Sequence, residues 1–268
     1  MKYLFIEMGF ANETVQTQYG RDALFISRLY SRFISDIKID NLRKISIEII
    51  ESPDKAHIIP THKLIKVCLL YKHLDLSVLS EIKQEATMHE FFLDFVLESM
   101  MELSEKFHWP KEKFIEAYNK VIESKFKNEF VLLSQKFSND KRYGASIIVN
   151  SNKEYVSIIL ELYDKKQCDE TRRIELAKIV YYIDEFSNIV HKLKWVSNEE
   201  LIVSNKDEEI NFKFSVQNEA PEMFLTPKMH NKKYLQDELK LLNPSTSKEE
   251  CLEINNKRIA NLSSMQEE

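Results

Sequence analysis

The residue step with the most direct chemical meaning is His89-Glu90, read against the pattern His-Glu-x-x-His. On a helix that pattern presents two imidazoles to zinc and a glutamate to the attacking water. Here the fifth position is Leu93, so the second imidazole is missing, and the expectation is a solvent-facing His-Glu pair on an amphipathic helix. A second arrangement is Asp140 and Glu161 with Lys165 and Lys166. Restriction-type nucleases use carboxylates to hold a divalent ion while a lysine orients water. The run ELYDKK lacks the Glu-x-Lys step, and in a chain that is 30% charged such neighbours arise by coincidence.

A third pattern is basic. Arg21, Arg28 and Arg32 recur at one or two helical turns, Lys38, Arg43 and Lys44 follow, and Phe25, Tyr30 and Phe33 lie between them. Aromatics interleaved with cations can bind single-stranded nucleic acid. The spacing instead assigns Tyr30 and Phe33 to an apolar stripe and the arginines to a solvated face. With 43 acidic against 38 basic residues and a formal charge of -5, nucleic acid is not the expected partner.

The remaining nucleophiles and ligands carry no local motif. Histidines stand at 57, 62, 73, 89, 108, 191 and 230, without metal-ligand spacing, although His57 and His62 share one loop with Pro60. Cys68, Cys168 and Cys251 are odd in number and far apart, which fits a reducing compartment better than a disulfide framework. Cys68 lies in the apolar run LIKVCLLY, where a buried, inert thiol is expected. Glycine occurs only at 9, 20 and 144, against a usual share of about 7%. Phosphate-cradling loops, dinucleotide fingerprints and nucleophile elbows need clustered glycines, so none of these is expected, and neither a cofactor nor a resident metal is implied.

The elements that would position these residues follow from periodicity. The N-terminal run MKYLFIEMGF, interrupted by Glu7 and without a small-residue cleavage site, reads as a first strand over 2–8 in a cytoplasmic protein rather than as a signal peptide. Residues 21–37 repeat apolar side chains at helical spacing. RKISIEII at 43–50 and KLIKVCLLY at 63–71 read as two antiparallel strands with a long connection. Leu76 to Phe107 carries the strongest helical pattern, with Asp75 or Ser77 as its cap and Phe92, Phe95, Val96, Met100 and Leu103 as one buried stripe. Pro110 opens another helix running to about Asn128.

Strands at 129–137, 143–150 and 154–163 are separated by SNDK and SNK turns and form a meander. Residues 170–194 place Ile174, Ala177, Val180, Ile183, Phe186, Val190 and Leu193 three or four apart, a helical spacing. Two short strands follow around the turn NKDE. After Val216, prolines at 221, 227 and 244 and the polar run NPSTSKEE break the periodicity.

The fold class that results is α+β, with antiparallel hairpins and a meander packed against amphipathic helices. The organisation is a body over 1–216, divisible into lobes 1–128 and 129–216, and a C-terminal appendage over 217–268 with short helices at 232–242 and 247–262. Phe224, Tyr234, Leu235, Leu239 and Leu242 are the side chains by which that appendage would clamp onto the body or dock into a partner. No catalytic residue is singled out. The expectation is a non-enzymatic, cytoplasmic protein that binds and inhibits another protein, in the manner of bacterial immunity proteins. The alternatives are a hydrolase or metal-dependent nuclease with a dispersed acidic site, and an assembly protein of a phage or mobile element.

Overall fold

A computed structural model describes residues 4–39, 42–60, 66–167, 171–180, 189–218 and 222–225. The protein is α+β, and the chain divides into two compact units, Met1–Lys127 and Asn128–Glu268.

The first unit contains β1 (Phe5–Phe10), α1 (Glu13–Phe33), β2 (Lys44–Ile50), β3 (His57–Ile59), β4 (Val67–His73), α2 (Ser77–Glu81), α3 (Glu85–Phe107) and α4 (Lys111–Glu123). Its sheet has the order β1-β2-β4-β3. β1, β2 and β4 run parallel, and only β3 is antiparallel to its neighbour β4. The expectation of an antiparallel pair from 43–50 and 63–71 is therefore corrected. Alternation fixes which face each side chain takes but is blind to strand direction.

Register aligns Ile6 with Ile45 and Cys68, and Met8 with Ile47 and Leu70. All six are buried, each apolar side chain so placed contributing roughly 1.5–3 kcal/mol. α3 adds Phe92, which meets Phe10 edge-on at 6.1 Å between ring centroids. Phe92, Phe95, Val96, Met100 and Leu103 are all buried, as their stripe predicts. The expected long helix is broken at 82–84, where Ile82 is extended, a break that no Gly or Pro marks in the sequence.

α1 starts at Glu13 rather than Arg21, because Asn12 caps it: the Oδ1 of Asn12 accepts the N–H groups of Thr14 and Val15. Its first two turns are mostly polar and show no apolar period. Further along, the helix is enclosed, with Asp22 through Ser27 and Leu29 through Ser31 buried and Arg21, Arg28 and Arg32 only partly exposed. The arginines do not form a solvated face, since α1 packs against β1, α3 and α4 together.

α1 also seals the edge of the sheet. The N–H groups of Phe5 and Ala11 donate to the carbonyls of Arg43, which precedes β2, and of Ile49 within it, so those of Ile6, Met8 and Phe10 point outward. Each is accepted by a side chain of α1: Ser31 Oγ at 2.8 Å, Ser27 Oγ at 3.3 Å and Gln16 Oε1 at 2.7 Å. Residues 16, 27 and 31 fall on one helical face. Gly9 and Gly20, distant in sequence, both flank the Gln16 amide. A Cβ on Gly20 would lie 2.4 Å from Gln16 Nε2.

The second unit is built from β5 (Asn128–Phe137), β6 (Tyr143–Ser151), β7 (Tyr155–Asp164), β8 (Thr171–Val180), β9 (Lys192–Trp195), β10 (Glu200–Ser204), β11 (Ile210–Ser215) and β12 (Glu222–Leu225). Two antiparallel four-stranded sheets result, β5-β6-β7-β8 and β12-β11-β10-β9. Ile147, Ile158, Leu160 and Leu176 of the first sheet share one apolar core with Leu193, Trp195, Leu201, Phe212 and Phe214 of the second. Turn chemistry closes the hairpins. Asn152 Oδ1 accepts the N–H groups of Glu154 and Tyr155, and Asn205 Oδ1 those of Glu209 and Ile210.

The helix expected over 170–194 is contradicted at 171–180, which is β8 pairing with β7. A register shift between Ile158 and Ile159 makes Ile158 oppose Ala177 while Ile159 opposes Glu175. Leu176 is the extra residue of that bulge. Buried Ile174 and Ala177 are thus three apart across it, and the bulge imitates a helical step.

Candidate functional site

Among the described residues, one group of three metal-competent side chains converges: Asp22 of α1 with Glu85 and His89 of α3, their donor atoms all within 4.8 Å of one another. His89 is only 9% exposed and Asp22 8%, so the solvent-facing His-Glu pair is corrected: His89 is buried and Glu90 alone faces solvent. His89 Nε2 lies 3.2 Å from Asp22 Oδ1 and 3.7 Å from Glu85 Oε1. The imidazole packs against the rings of Phe25 and Phe126, with centroids 5.2 and 5.6 Å away. The i,i+4 spacing of Glu85 and His89 is legible in the sequence. Asp22, sixty-seven residues from His89, carries no such signal, so only the packing of α1 on α3 reveals it.

Asp140 and Glu161 do not join a third donor among the described residues. Asp140 shapes the β5–β6 turn, accepting from the Ser138 hydroxyl and the Arg142 N–H, and those hydrogen bonds hold its carboxyl below the usual range. Glu161 accepts from Arg173 Nε at 3.0 Å. His57 is exposed and stacks on Tyr71 at 4.5 Å, while His62 and His230 lie outside the described residues.

A cavity of about 310 Å³ in the second unit is lined by Arg142, Tyr143, Leu162, Tyr163, Asp164, Arg172 and Val216. Its guanidinium groups are engaged by the protein. Arg142 Nη2 pairs with Asp164 at 3.2 Å, and Arg172 Nη2 donates to the Val216 carbonyl at 2.8 Å. Arg142 Nε is buried without a partner.

The third feature is the set of strands that end the sheets among the described residues. An unpaired edge strand is a template for another chain, and proteins blunt it with charge, bulges, brevity or a covering element. β1 is covered by α1. β3 is three residues long, β5 carries two register shifts, β8 presents Arg172 and Arg173, and β9 presents Lys192 and Lys194. β12, four residues long, has no basic residue and no bulge: its sequence is EMFL, with one charge at Glu222 and with Met223 38% and Phe224 42% exposed. Phe224, one of the candidate docking residues, is thus an exposed aromatic on a strand that ends its sheet among the described residues. Tyr234, Leu235, Leu239 and Leu242 lie outside the described residues.

No family model matches the chain, and neither a curated protein nor a solved structure matches it. No helix among the described residues is long and apolar enough to cross a membrane.

Proposed function

We propose that the protein is a non-enzymatic, cytoplasmic binding protein that inhibits another protein, in the manner of toxin immunity, and that it engages its partner through the β12 edge. The observation that carries this reading is that β12, which ends its sheet among the described residues, offers two adjacent exposed apolar side chains, Met223 and Phe224, with neither a basic residue nor a bulge. An extended segment of the partner would add as a further strand beyond β12, main-chain hydrogen bonds supplying affinity and the Met223 and Phe224 side chains supplying specificity. Glu222, also exposed, and the acidic excess of the chain favour a basic partner.

The test uses the full chain and each protein encoded beside it. One of those proteins is expected to bind saturably by calorimetry and to lose its activity on binding. Replacing Phe224 and Met223 with aspartate should weaken that binding by about tenfold or more, as loss of a central apolar anchor does. A set of neighbours that all fail to bind, or a binder indifferent to both substitutions, overturns the proposal.

A further inference from the structure

We propose a second, independent property: Asp22, Glu85 and His89 form a binding site for a divalent transition-metal ion of the zinc type, which pins α1 to the first turn of α3. It does not rest on the β12 reading and lies in the other unit of the chain.

Donor atoms around an ion bound at about 2.0–2.2 Å lie roughly 3.0–3.6 Å apart. Of the separations that His89 Nε2 makes, the 3.2 Å to Asp22 lies within that range and the 3.7 Å to Glu85 lies just above it, so one ring nitrogen has both carboxylates close by. Glu85 and His89 are four residues apart on α3, so one helical face delivers two donors. Asp22 enters from α1 and is itself buried. The donor set of one imidazole and two carboxylates balances a 2+ charge and suits zinc-type ions better than calcium, which prefers six to eight oxygens.

The rings of Phe25 and Phe126, both tilted against His89, help to fix the imidazole orientation before any ion arrives. Glu85 is exposed, which leaves an entry path and room for water to complete the coordination shell. The imidazole must bind as its neutral form, with the proton on Nδ1 and the Nε2 lone pair free for the ion. Binding therefore releases whatever proton Nε2 carries towards Asp22.

The experiment is calorimetric titration of the full chain, stripped with a chelator, with zinc chloride. One equivalent is expected to bind saturably and to raise the melting temperature, while calcium produces neither effect. Glu85→Ala, on an exposed position, should weaken zinc binding about 10–100-fold, and His89→Gln should abolish it, whereas His57→Ala should leave it unchanged. Absence of saturable binding overturns the proposal, as does wild-type affinity in Glu85→Ala. If His89→Gln fails to fold, Glu85→Ala decides alone.

Discussion

Ser31 accepts the backbone N–H of Ile6 at 2.8 Å while both residues are buried. A helix side chain thereby stands where a neighbouring strand would otherwise be. Replacing Ser31 with alanine leaves that N–H without a partner and without water, at a cost of about 1–3 kcal/mol. A lower urea midpoint is the expected outcome, together with faster amide exchange at Ile6. An alanine variant equal to the parent in both would show that the edge is satisfied some other way.

Phe95, 6% exposed, packs on the apolar face of α3 with the Lys72 ammonium 5.0 Å from its ring centroid. Phe95→Ala removes a large core aromatic and should cost about 3–5 kcal/mol. Phe95→Leu should recover much of that loss. Chemical denaturation of the two variants tests the packing, and equal stability of parent and alanine variant would contradict it.

Burial pushes the Cys68 thiol up to about 11, with Lys106 acting weakly in the opposite direction. In an unfolded chain the thiol ionises near its ordinary value of about 8.5. The folded state therefore holds a proton that the unfolded state gives up. The stability linked to this group is fully present below about pH 8.5 and is lost as pH rises towards 11. Cys68→Ala should show a shallower decline over that window than the parent, each normalised to neutral pH. Parallel profiles would exclude Cys68 as a contributor.

Much of the second unit is legible in the sequence, because the meander and the β10–β11 hairpin are bounded by Asn, Asp and Ser turns whose side chains hold them. What is illegible has identifiable causes. The β8 bulge at Leu176 shifts the alternation by one residue and mimics a helix. The parallel pairing of β2 with β4 depends on contacts that no local pattern encodes. Of the candidate site residues, Phe224 could be picked out as part of an apolar cluster, but its place on the last described strand of a sheet requires the pairing of β12 with β11. Asp22 is hidden for a related reason: nothing near it in the chain marks it as facing His89.

The central claim is that β12 receives the partner, and hydrogen exchange with and without the bound partner tests it most directly. Outward-facing amides of 222–225 should be slowed on binding, and the slowing should vanish when Phe224 is replaced with aspartate. Protection confined to other surfaces, with 222–225 exchanging at the same rate in the free and bound protein, would contradict the account.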